Sequence, residues 1–151
     1  MLRSLCAQKM LPIFNSDKIV VNIDETNLVE GDLRRRKWRI RGMTHSVVEK
    51  SISNKLNIIG AIDTNGSVYC SILHENTNTD VFCLFMEKLI SRIEKESPNF
   101  RNTHIFQMDG ASMHKSEETR NYLASLRIKI VISSPYSYQQ SPVELLWVSI
   151  I

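Results

Sequence analysis

The sequence predicts an α/β protein built on a mixed sheet of about five strands, three antiparallel and then two parallel, with flanking helices. Three observations predict it. Apolar, β-branched runs crowd the first half of the chain: KIVVNID at 18–24, LNIIGAI at 56–62 and SVYCSIL at 67–73. A long segment with helical spacing follows at 78–96. After it, apolar runs at 103–108 (THIFQM) and 128–132 (IKIVI) alternate with helical segments. Adjacent runs joined by short turns pair antiparallel, whereas strands separated by a helix join in parallel through right-handed crossovers.

Taken in order, 18–24 is a short apolar run ending in Asp24, the pattern of a central strand. Residues 37–42 (KWRIRG) alternate polar and apolar, as a half-buried hairpin strand does. The run 56–62 reaches Asp63-Thr64-Asn65-Gly66, whose Asn-Gly tip turns the chain back into 67–73. Asn78 or Thr79 then caps a helix to about Glu96. Val81, Phe85, Leu89 and Ile93 recur every four residues, and Phe82, Met86 and Ile90 widen the apolar stripe. Glu87, Lys88, Arg92, Glu94 and Lys95 take the opposite face, and Pro98 lies where a helix stop is expected. Residues 103–108 read as a strand. Ser116, followed by Glu117 and Glu118, opens a helix through Leu126. One more strand spans 128–132, and Ser141 with Pro142 reads as the N-cap and first residue of a last helix.

Three acidic residues stand out against this pattern. Asp24 and Asp109 each close an apolar run, and Glu144 follows Asp109 after 34 intervening residues. A carboxylate at the end of a buried strand points into the crevice beyond the sheet edge, where ligands of open α/β folds bind. Three carboxylates converging there repel one another unless cations lie between them. Hard oxygen ligands suit Mg²⁺ or Mn²⁺. Each residue also has a purely structural reading. Asp24 and Asp109 suit the start of a turn, and Ser141-x-x-Glu144 matches a capping box.

The wording around these residues resembles the catalytic domain of the DDE transposases, in particular the mariner-like superfamily. The resemblance runs from about Lys18 to Trp147. It is carried by Asp24-Glu25-Thr26, by Trp38-x-x-x-Gly42, by Asp109-x-Ala111-x-x-His114, and by Ser134-Pro135-Tyr136-Ser137 leading to Pro142-x-Glu144-x-x-Trp147. The spacing of 34 residues is characteristic of the same superfamily. The resemblance implies a ribonuclease-H-like fold, and the order of elements above agrees with it. It also implies a metal-dependent DNA endonuclease and strand-transferase, with Asp24, Asp109 and Glu144 both catalytic and holding two Mg²⁺ or Mn²⁺ ions. Asp24 is the expected bridge, with Asp109 on one ion and Glu144 on the other. Transposon ends and target DNA are the expected partners, a homodimer is compatible with the family, and no small-molecule substrate is expected. A catalytically silent remnant that binds DNA or protein is the alternative reading, and a ribonuclease-H-like RNA nuclease is a third.

Two further features bear on DNA. The stretch Leu33–Arg39, with Arg41, is the basic cluster of the chain, so Arg35, Arg36, Lys37 and Arg39 are candidate phosphate contacts. Trp38 within it suits stacking on a base or packing on the sheet. His114 is a candidate for a supporting or phosphate-contacting role near the site, or a histidine that simply serves a helix entry. It is not expected to be a metal ligand.

Composition narrows the remaining classes. At 151 residues the chain suits one domain with a real core. No apolar run approaches the ~18 residues of a membrane span. The net charge of +3 permits contact with nucleic acid without arguing for it. Cys6, Cys70 and Cys83 lack CxxC spacing and are expected to be buried, reduced thiols. The expected location is the nucleus of a eukaryote, or otherwise the cytoplasm or nucleoid, rather than outside the cell. Residues 1–17 read as an N-terminal extension without the Arg and Ser density of a transit peptide. Residues 18–151 read as the catalytic domain, incomplete at its C-terminus because the family continues the Glu144 helix for several more turns. Gly110 stands where the family usually carries Asn.

Overall fold

Strand β1 (Ile19–Val29) is the axis of the molecule. The computed structural model describes residues 2–29, 55–133 and 141–150. The strand expected at 37–42 and the basic stretch around it lie outside the described residues. Strands β2 (Lys55–Asp63), β3 (Val68–Leu73), β4 (His104–Met108) and β5 (Ile130–Ile132) complete a five-stranded sheet in the order β3-β2-β1-β4-β5. β1, β2 and β3 are antiparallel neighbours, and β4 and β5 add in parallel. That is the mixed sheet expected.

Alternation along the strands sends side chains to two different layers. Val21 and Ile23 of β1, with Ile59, Ala61, Phe106 and Met108, form the floor of the main core. Helix α2 (Thr79–Glu96) roofs that floor with Phe82, Phe85, Met86, Leu89, Ile90 and Ile93. The one-turn helix α3 (Phe100–Thr103) adds Phe100, and α4 (Glu117–Ser125) adds Leu123. On the other face Val20 meets Met10 of helix α1 (Leu2–Phe14). Further along that face, Val143 and Trp147 of helix α5 (Val143–Ile150) pack on Ile58. The result is a sheet between two helical layers.

Local signals hold where they were read. The Asn78 side chain accepts the Val81 N–H at 2.9 Å, and Ser116 Oγ accepts the Thr119 N–H at 3.1 Å. At the β2–β3 turn Asp63 Oδ1 accepts the amides of Asn65 and Ser67, both at 2.8 Å. Gly66 takes φ +87°, a conformation that favours glycine.

Four expectations change. β1 does not stop at Asp24, because β2 continues to pair with it as far as Val29. Residues 2–14 form a helix that the sequence did not announce, since Pro12 and the lack of an apolar stripe hide it. Cys70 is exposed and Cys83 only half-buried. Among the described residues β3 is an edge strand, and its side chains alternate between exposed and half-buried, with Cys70 at an exposed position. Finally, the N-terminus of α5 is not capped by Ser141, as described below. Among the described residues no helix is long and apolar enough to cross a membrane.

Candidate active site

Asp24 projects from β1 on the face covered by α5, two residues beyond Asn22. The Trp147 indole Nε1 donates to Asp24 Oδ2 at 3.0 Å. The contact depends on the residue opposite Asp24 in β2, which is Gly60. A Cβ at Gly60 would overlap the Trp147 ring, so glycine lets the edge of the indole come close against the strand. Burial pushes the Asp24 carboxyl up to about 6, with the negative charges of Glu25 and Glu144 adding to it. The indole bond and the Glu25 amide pull the other way without reversing the shift.

Asp109 follows the last residue of β4. The parallel register of β1 and β4 pairs Ile19 with His104 and Asn22 with Gln107. Carried two residues on, it sets Asp24 and Asp109 level on neighbouring strands. The Asp109 side chain is exposed and accepts the Ala111 N–H at 2.9 Å. Its Oδ1 also pairs with His114 Nδ1 at 2.9 Å. The bond from His114 holds the Asp109 carboxyl below the usual aspartate range despite partial burial.

His114, in the short 3-10 turn Met113–Lys115, is buried, with no side-chain surface left for a phosphate. Its Nε2 bonds Glu25 Oε1 at 3.0 Å, and its ring lies 4.5 Å from the Phe82 ring, centroid to centroid. Burial disfavours the imidazolium, but Asp109 and Glu25 outweigh it and push the histidine up to about 10. His114 therefore carries a positive charge between two carboxylates. Glu25, on the face of β1 opposite to Asp24, was not singled out from the sequence. Its only signal was the Asp-Glu-Thr wording.

Glu144 sits in the first turn of α5, half-buried, near enough to Asp24 to raise its carboxyl. Asn22 places that turn. Its Oδ1 accepts the Ser141 hydroxyl at 2.9 Å and the Val143 N–H at 3.0 Å. Ser141 is thus a donor to β1 rather than the cap of its own helix. The signal for Asn22 was a polar residue inside an apolar strand, on the face that Asp24 also uses.

The structure therefore brings Asp24 and Glu144 into one electrostatic neighbourhood and sets Asp109 alongside, its carboxylate turned toward His114. Among the described residues no three acidic, histidine or cysteine side chains are gathered as a ready-made metal cluster. The donor chemistry nonetheless fits a hard divalent cation. The set is all carboxylate oxygen, and burial, with Glu25 and Glu144 adding to it, raises Asp24, a cost that a bound cation would offset. Arg35, Arg36, Lys37, Trp38 and Arg39 lie outside the described residues.

Residues 19–151 match the DDE superfamily endonuclease family. No curated protein matches the chain by sequence. Among solved structures, the chain is similar to the Mos1 mariner paired-end complex with Mn, with TM-score 0.76 and 19% identity over 98% of this chain and 46% of that one. It is also similar to the Mos1 transposase catalytic domain with raltegravir and Mg, at TM-score 0.71 and 18% identity, covering 98% of this chain and 68% of that one. The catalytic domain of Mos1 mariner transposase gives TM-score 0.72 and 17% identity, with 98% and 67% covered. The chain thus spans about half the length of the Mos1 chain in the paired-end complex, 46%. At these identities the structural likeness is one of fold. The family match covers nearly all of the sheet and helices that frame Asp24, Asp109 and Glu144, and on it the chain belongs to the DDE superfamily of endonucleases, with the ribonuclease-H-like fold of a mariner transposase catalytic domain.

Proposed function

We propose that this chain is a metal-dependent DNA-cutting domain of transposase origin, acting on phosphodiesters through Asp24, Asp109 and Glu144. One observation carries the reading: the β1–β4 register sets two aspartates level, and α5 lays Glu144 beside the first of them. Two divalent cations bound there would activate the attacking oxygen and stabilise the leaving 3′ oxygen. The attacker is water in strand cleavage and a DNA 3′-hydroxyl in strand transfer. In each case one P–O bond forms as the P–O3′ bond breaks.

The residues around the carboxylates have matching tasks. The Trp147 indole takes one acceptor site on Asp24 and leaves the other oxygen for a metal. His114, held by Glu25, orients Asp109 from the buried side. The basic stretch from Arg35 to Arg39 supplies contacts to DNA phosphates on this reading. Transposon ends and target DNA are the substrates on this reading, a homodimer is the working assembly, and its place is the nucleus in a eukaryotic host and the cytoplasm or nucleoid otherwise. The Mos1 structures that share the fold include complexes with a transposon end and with Mg or Mn. A second reading, a silent DNA- or protein-binding module, is favoured by the engagement of the Asp109 carboxylate with His114.

Nicking of supercoiled plasmid separates the two. The expected result is nicking that requires Mg²⁺ or Mn²⁺ and falls to background in Asp24→Ala and Glu144→Ala. Retained DNA binding in a gel-shift assay, with no nicking in either metal, would establish the silent module instead.

A further inference from the structure

We propose that Asn22 is a positioning residue for Glu144, an inference that rests on the metal-dependent reading above. Asn22 is only 3% exposed, in a strand whose other buried neighbours are apolar. A buried amide in such a place is costly unless its polar atoms are paired. Its Oδ1 is paired twice, and both partners belong to the entry of α5: the Ser141 hydroxyl and the Val143 N–H.

The consequence follows from how helices begin. The first N–H groups of a helix have no partner inside it and are usually satisfied by a side chain just upstream. Here the capping oxygen comes from β1, about 120 residues away in sequence. The first turn of α5 is thus tied to the sheet.

A second tether fixes the direction of that turn. Trp147 Nε1 bonds Asp24, so Val143 and Trp147 on α5 are tied to Asn22 and Asp24 on β1. Four residues of helix advance about 6 Å. Two residues of strand advance about 6.6 Å. The two advances are similar, and both bonds form. Glu144 lies between the two tethered helix positions and is carried along the strand that bears Asp24. Asparagine suits the role because it offers an acceptor without adding a third negative charge beside Asp24 and Glu144.

The test is a double-mutant cycle on Mn²⁺ affinity, read by electron paramagnetic resonance titration of the whole chain. Asn22→Val keeps a strand-forming side chain and removes the acceptor. In the metal-free protein the Val143 amide should exchange faster with solvent. The Kd for Mn²⁺ should rise about tenfold, as when a residue that orients a metal ligand is lost. In nicking, kcat should fall while KM for DNA stays as it was. In a Glu144→Ala background the same substitution should cost no further Mn²⁺ affinity. Asn22→Asp, which restores an acceptor, should protect Val143 and bind Mn²⁺ at least as tightly as the unmodified chain. If Asn22→Val does not fold, Ser141→Ala passes through the same cycle with a smaller loss, about threefold, expected. Losses that add in the double variant, or an Asn22→Val Kd equal to that of the unmodified chain while Glu144→Ala weakens binding, would overturn the inference alone. A Glu144→Ala variant that binds Mn²⁺ unchanged would remove Glu144 from the ligand set, and the functional reading and this inference would fall together.

Discussion

Asp24 and Asp109 stand level on neighbouring strands, yet their surroundings push them in opposite directions. Asp24 is raised from 3.8 to about 6 by burial and by like charges, whereas Asp109 is lowered by His114. For Asp24 the folded-state value exceeds the unfolded one. Its contribution to stability is therefore complete below pH ~4 and is lost as pH rises through about 6. Asn at this position keeps an acceptor for Trp147 and removes the charge. Asp24→Asn is expected to raise the metal-free melting temperature at pH 7.5 by roughly 3–6 °C and to leave it unchanged at pH 4. Asp109 has the reverse sign: its contribution is present above the unfolded value and lost as pH falls. Asp109→Asn strips His114 of a charged partner and should lower the melting temperature at pH 7.5. Thermal melts of both variants at the two pH values check the pair, and a lower melting point for Asp24→Asn at pH 7.5 would refute the account of its burial.

At the scale of elements, α5 meets the sheet, among the described residues, through Val143 and Trp147. Val143 and Trp147 pack on Ile58, with Leu28, Ile62 and Leu146 at the margin. The indole fits because Gly60 has no side chain beneath it. Gly60→Ala puts a methyl group into the ring, and overpacking of this kind costs about 1–3 kcal/mol. The expected result is a melting temperature lower by roughly 2–10 °C and an indole N–H resonance shifted toward solvent, as Trp147 leaves Asp24. An unchanged indole resonance would mean that α5 yields elsewhere. α2 is anchored differently, by its Asn78 cap and six buried side chains on the main core, so this substitution should not disturb it.

For the whole molecule, two helical layers pack on one sheet, and the acidic residues lie where β1, β4 and α5 meet. Cations that bind only the folded chain stabilise it by mass action. At a hundredfold excess over Kd that amounts to about 2.7 kcal/mol, or roughly 5–11 °C for a domain of this size. Millimolar Mn²⁺ is therefore expected to raise the melting temperature of the unmodified chain at pH 7.5. The shift should shrink in Asp24→Asn, whose substituted residue no longer brings a charge to the metal. Equal shifts in both proteins would place the bound ions elsewhere.

The sequence by itself determined what depends on neighbours in the chain. Apolar, β-branched runs marked β1, β2 and β3, the four-residue spacing marked α2, and Asn78, Ser116 and Gly66 marked caps and a turn, because each acts on backbone within a few residues. The family wording pointed to Asp24, Asp109 and Glu144. Only the tertiary structure decided what depends on partners far along the chain. β1 runs past Asp24 because β2 supplies a ladder, and α1 is held by packing rather than by an apolar stripe of its own. Ser141 gives up the local cap because Asn22 offers a buried acceptor that must be satisfied. His114 is charged because folding encloses it between Glu25 and Asp109, at positions 25 and 109 of the chain. Hydrogen bonds and charges act through space, and it is the β1–β4 register, fixed by the whole sheet, that brings these residues within reach of one another.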